Sequence, residues 1–147
     1  MPEDIPAVLK PVAEGKADIS VGSRFDASSN KEGYSSLPIR DLGNHTVNLV
    51  VSLLAGQKVT DVTTGLKAWS KKAIWAIEFK DNRFIYEMEI VLRGILGGQR
   101  VVMIPIRYAS RAAGISGHGA GLREIMSLGY TGFKIMFYAL LIRLGRY

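Results

Sequence analysis

The densest chemistry in the sequence lies in the stretch TDVTTGLKAWS, residues 60–70, where Asp61 is followed by the hydroxyls of Thr63 and Thr64, by Gly65 and by the cation Lys67. A carboxylate beside hydroxyls and a cation can position or deprotonate an acceptor group. The same residues also suit a plain turn, in which the aspartate accepts from the backbone two residues on. Three arginines fall where loops gather: Arg24 after the apolar run at Ile19 and Val21, Arg40 at the start of a helical pattern, and Arg111 in a glycine-rich segment. Guanidinium forks match phosphate oxygens, so a phosphate-bearing ligand is the chemistry these cations imply; the alternative for each is a solvated side chain. Glu87 and Glu89 stand two apart in a helical pattern and cannot share a face, so at most one of them reaches a site.

Composition removes other chemistries. The absence of cysteine excludes disulfides, a thiol nucleophile and thiolate-bound zinc, and two histidines, His45 and His118, do not make a metal site alone. A chain of 147 residues with 48% hydrophobic and 22% charged side chains suits one folded core. The net charge of +6 is uneven: 11 basic and 12 acidic residues up to Glu89, then eight basic residues against Glu124 alone. A cationic C-terminal part favours phosphates of a nucleotide, a lipid headgroup or a nucleic acid. Basic and aromatic residues do not interleave and no nucleic-acid motif is present, so no nucleic-acid partner is expected. The opening MPEDIPAVLKPV has neither the basic nor the apolar region of a signal peptide.

The elements that must carry these residues alternate. Pro2, Glu3 and Asp4 before Ile5, Val8 and Leu9 suit the acidic first turn of a helix. ADISVGSRF predicts a short buried strand that delivers Ser23 and Arg24 to a polar loop. A helix follows over Ile39–Ala55, stopped by Gly56; KKAIWAIEF predicts a short helix, and Ile85, Met88, Leu92 and Ile95 recur at helical spacing up to Gly97 and Gly98. The β-branched run before Pro105 is a strand, and ASRAAGISGHGAG a loop able to approach a ligand closely. The last segment is apolar nearly all round, yet Lys134 interrupts it, which is short of the ~20 apolar residues of a spanning helix. Two readings remain for it: an interfacial amphipathic helix with snorkelling cations, or a core helix that packs on a further part of the protein.

Taken in order, PEDIP, ADISVGSRF, Pro38-x-Arg40 with Asn44, DVTTGLKAWS, FIYEMEIVLRG and VVMIPIRYASRAAGIS resemble the second half of family 2 glycosyltransferases, in the branch of dolichol-phosphate mannose and polyprenyl-phosphate glycosyl transferases. The resemblance covers about Pro2 to Ser116. It implies an α/β fold, the C-terminal portion of a GT-A (Rossmann-like) mixed sheet flanked by helices, with residues 1–121 as the acceptor-side part of a catalytic domain and residues 122–147 as an amphipathic helix.

The resemblance also implies roles. Arg24 and Arg40 would bind the acceptor phosphate, with Asn44 where serine is frequent and Lys67 as the cation of the D-x-T-x-G motif. Asp61 would act on or position the acceptor, Arg111 and Ser116 would contact the donor diphosphate, and Glu87 and Glu89 are further candidate acids. Gly117 replaces the lysine expected after Ser116. The implied reaction is inverting transfer of a sugar from a nucleotide sugar to a polyprenyl phosphate at the cytoplasmic face of an anionic membrane, with Mg2+ or Mn2+ as cofactor. The Asp-x-Asp element that would hold that ion is absent from the sequence. The chain is therefore expected to be inactive alone and poorly soluble without lipid or detergent. The alternative is a non-catalytic membrane- or partner-binding remnant that keeps the phosphate-binding loops.

Overall fold

The computed structural model describes residues 2–29, 38–79, 85–107 and 122–146. A short 3-10 turn, Pro2–Asp4, leads into α1 (Ile5–Ala13) and strand β1 (Ile19–Ser23). Helix α2 (Pro38–Ala55), strand β2 (Lys67–Trp69), helices α3 (Lys71–Trp75) and α4 (Ile85–Leu96), strand β3 (Val101–Pro105) and helix α5 (Leu122–Arg143) follow. The strands form one mixed sheet ordered β2-β1-β3. β1 runs antiparallel to β2, with Val21 opposite Lys67, and parallel to β3, with Val21 opposite Met103.

The central strand is buried along its whole length. This is the expected pattern for a strand covered on both faces, and full burial of Ile19 and Val21 stabilises by roughly 1.5–3 kcal/mol each. α1 packs on β1 and β2. α4 meets the Ile19 face so closely that a Cβ added at Gly94 would fall 2.6 Å from Ile19 Cδ1. Gly56, with φ of +68°, closes α2 in the left-handed conformation that glycine adopts without a Cβ clash.

Three local expectations are modified. The Asp4 carboxylate makes no cap to α1; it accepts instead from the backbone N–H of Arg107 at 3.2 Å and from its Nε at 3.0 Å, tying the N-terminal turn to the end of β3. Lys67–Trp69, inside a stretch expected to be a turn, is a sheet strand; three residues are too few to show a period of two. α5 is a core helix on one side, where Ile135, Ala139 and Ile142 join the main cluster and the helix packs on α2 and α4 of this chain. Its other side presents Met126, Tyr130, Phe133, Phe137 and Leu140 to solvent. No helix among the described residues is long and apolar enough to cross a membrane.

Candidate functional site

The site begins where β1 ends. Gly22 passes close to the neighbouring loop: its N–H donates to the Leu66 carbonyl at 2.8 Å, and a Cβ would meet that oxygen at 3.2 Å and Ile106 Cγ2 at 3.1 Å. Ser23 Oγ then accepts from Thr60 Oγ1 at 2.7 Å, and the next residue is Arg24. Its backbone N–H and Nε both donate to Asp61 Oδ2, at 3.0 and 2.7 Å, while Nη2 donates to Asp61 Oδ1 and to Thr63 Oγ1, each at 2.8 Å. Thr63 Oγ1 donates on to Asn44 Oδ1 at 3.3 Å. The guanidinium carbon also lies 5.2 Å from the centroid of the Phe25 ring, which meets His45 edge-on. Asp61 is fully buried and the Arg24 side chain nearly so. Two-pronged, charge-assisted bonds of this kind fix direction as well as distance.

Helix α2 holds Asp61 in place through two side chains that the sequence did not mark. Asn48 Nδ2 donates to the Thr60 carbonyl at 2.7 Å and its Oδ1 accepts from the Val62 N–H at 3.0 Å, gripping the backbone on both sides of Asp61. One turn later Ser52 Oγ accepts from the Val59 N–H at 2.9 Å. The available signal was two polar residues, Asn48 and Ser52, at i and i+4 beside the buried Val47 and Val51. Asn48→Ala leaves a buried carbonyl and N–H unpaired, and the expected cost is about 1–3 kcal/mol per orphaned group, measurable as a lowered urea midpoint with an unchanged slope.

The remaining expected residues divide. Arg40 is half-buried in the first turn of α2, four residues before Asn44 and hence on the same side of the helix. Lys67 opens β2 and turns inward, with Nζ donating to the carbonyls of Val62, at 3.3 Å, and Thr64. Burial pushes the Lys67 ammonium down to about 8, a shift that Arg24 reinforces and that Glu87 and Asp61 oppose. Burial likewise pushes Glu87 up, against the pull of Lys67 and Arg24. Glu89 points the other way: it is fully buried and accepts from Arg93 Nε at 3.1 Å. Glu87 is thus the acid on the site side and Glu89 belongs to the core. Arg111 and Ser116 lie outside the described residues, as does most of the polar loop after Arg24.

Between pH 8 and 10.5 the unfolded chain keeps a proton on Lys67 that the folded chain has lost, so this group makes stability rise with pH across that window. Chemical denaturation of the native protein and of Lys67→Met at matched pH values is expected to show the rise in the native protein and its absence in the variant. Among the described residues no cluster of three or more acids or histidines is placed to hold a metal ion. The groups shown together are a guanidinium held rigidly by a buried carboxylate and, through Thr63, the amide of Asn44 on the neighbouring helix.

No family model matches the chain and no solved structure matches it. Curated proteins do. The chain is 30% identical over 139 residues to an uncharacterized protein of Methanocaldococcus jannaschii, an alignment covering 92% of this chain and 53% of that protein. It is 28% identical over 150 residues to the polyprenol monophosphomannose synthase of Mycolicibacterium smegmatis, covering 99% and 53%. With the UDP-N-acetylglucosamine–dolichyl-phosphate N-acetylglucosaminyltransferase of Methanococcus voltae it shares 24% over 148 residues, covering 99% and 55%. The chain spans about half the length of these curated relatives. Its sequence kinship therefore runs to glycosyltransferases whose names pair a sugar with a polyprenol or dolichyl phosphate.

Proposed function

We propose that the chain carries the acceptor-binding part of a family 2 glycosyltransferase that moves a sugar, with inversion, from a nucleotide sugar to a polyprenyl phosphate. The observation that carries this reading is the Arg24 fork, locked by Asp61 and Thr63 at the end of the central strand and adjoining Asn44, in a chain nearly all of which aligns with such enzymes. Arg24, Arg40 and Asn44 hold the acceptor phosphate. One phosphate oxygen attacks the anomeric carbon, the new C–O bond forms, and the bond to the nucleoside diphosphate breaks with the electron pair leaving on that diphosphate.

No general base is required of this chain. A phosphate monoester has its second pKa near ~6 and is already a nucleophilic dianion at neutral pH. Both oxygens of Asp61 are engaged and buried, so Asp61 works through Arg24, holding the guanidinium that orients the phosphate. Arg111 and Ser116 contact the donor diphosphate. A divalent ion, when bound, would neutralise charge on that leaving group. The exposed Tyr130, Phe133 and Phe137 of α5, with Lys134 and Arg143, lay the outer side of that helix on the cytoplasmic face of an anionic membrane.

The test is binding first and transfer second. The chain is expected to bind a short-chain polyprenyl phosphate and to lose that binding in Arg24→Ala; equal binding by both proteins overturns the reading. Labelled sugar is then offered from a panel of nucleotide sugars with Mg2+ or Mn2+, to this chain alone and to a full-length relative carrying the same residues. Transfer by the full-length relative but not by the chain alone is the result the first reading expects; binding with transfer by neither favours the second, a phosphate- and membrane-binding module.

A further inference from the structure

A lysine beside a phosphate site invites the assumption that it binds the phosphate. The geometry of Lys67 argues otherwise. Its Cα is fixed by the sheet, in register with Val21 of the central strand, and its stem runs back beneath the loop it has just left. There Nζ meets two carbonyls of that loop, those of Val62 and Thr64. These flank Thr63, whose hydroxyl accepts from Arg24, and follow directly on Asp61. Buried carbonyls need donors, and an ammonium placed between two of them ties them together. The loop is also held from its other end, where the Leu66 N–H donates to Thr64 Oγ1 at 3.3 Å.

We propose that Lys67 is a positioning residue: its ammonium braces the Val62–Thr64 turn so that Asp61 and Thr63 clamp Arg24, and it does not itself bind the phosphate. This rests on the reading of Arg24 as the phosphate-holding cation and assigns Lys67 a different task within the same site. The charged groups that face Lys67 are Glu87 from α4, Asp61 from the turn and Arg24 from the end of β1. Glu87 borders the same turn, its Oε1 lying 3.9 Å from where a Cβ on Gly65 would stand, an ordinary contact distance. Nζ is desolvated and directs two of its three N–H groups onto backbone oxygens, so its first task is the loop rather than a ligand.

The experiment follows the Arg24 side chain. In 15N-labelled protein the Arg24 Nε–H, held on Asp61, gives an exchange-protected signal that reports the clamp with no ligand present. In Lys67→Met, which matches the stem and removes the donors, this signal is expected to lose about tenfold or more in protection, roughly the value of one charge-assisted hydrogen bond, while the amides of Ser20 and Val21 stay protected. Lys67→Arg, which restores donors, is expected to recover it. If Arg24 Nε–H is unchanged in Lys67→Met, the brace is refuted; loss of short-chain polyprenyl phosphate binding in that same variant would identify Lys67 as a direct ligand. Should Lys67→Met not fold, labelling of the native protein with an amine-reactive ester at pH 8 decides. Slow labelling of Lys67, unchanged by saturating inorganic phosphate, supports the brace, whereas fast labelling that phosphate suppresses overturns it. The Arg24 signal needs no ligand, so failure of the brace and failure of the phosphate-binding reading are separate results.

Discussion

Asp61→Ala is expected to destabilise the chain by about 3–5 kcal/mol, the cost of leaving a nearly buried guanidinium without its partner. The reason lies in what the carboxylate does. It accepts from the Arg24 backbone, from Nε and from Nη2, and it is itself fully buried. Water cannot replace it without opening the contact between the end of β1 and the loop before β2. Chemical denaturation measures the loss. An effect below about 1 kcal/mol, the range of an exposed ion pair, would show that the pair is solvated and that Asp61 does not hold Arg24. A double-mutant cycle with Arg24→Met sharpens the test: replacing both members is expected to cost much less than the sum of the single changes, because no charge is left behind.

Arg24→Lys is expected to weaken binding of a short-chain polyprenyl phosphate by about 10- to 100-fold while keeping the net charge, since hydrogen bonds to charged groups contribute about 1.5–3 kcal/mol. Lysine offers a point charge on a flexible stem, whereas arginine offers a planar fork. A single ammonium cannot reproduce the bonds from Nε and Nη2 to both oxygens of Asp61 and the further bond to Thr63, and so cannot be held in one direction. Calorimetry or a fluorescence titration at fixed ionic strength checks this. If Arg24→Lys binds as tightly as the native chain, charge alone suffices and the geometry of the fork is irrelevant to the ligand. Arg40→Lys, in the first turn of α2, supplies a comparison in which the clamp itself is untouched.

Asp61 and Lys67 illustrate how a motif can be recognised from sequence while the direction of its side chains cannot. Both stand in the stretch that carries the strongest local signal, and both belong to the site. From their types, an acid beside hydroxyls and a cation reads either as a group that positions or deprotonates an acceptor or as a plain turn, and the family resemblance adds Lys67 as a cation for the acceptor phosphate. In the fold the acid is turned onto an arginine 37 residues away, and the lysine onto the backbone of its own loop. Neither direction has a periodic or compositional mark.

The sequence by itself determined the parts whose causes are local. Alternation of apolar residues and the stops at Gly56 and Gly97–Gly98 marked α2, α4, β1 and β3, because helix and strand periods are set within a few residues. The spacing of Glu87 and Glu89 decided that they face apart, and the order of short motifs pointed to the glycosyltransferases that the alignments support. Tertiary structure alone decided that Lys67–Trp69 is a strand, that Asn48 and Ser52 grip the loop around Asp61, and that Asp4 answers to Arg107 across 103 residues. It also decided that α5 shares the core with α2 and α4. These are pairings between distant segments. Their stability comes from burying partners together, and nothing in either segment alone specifies which partner it will meet.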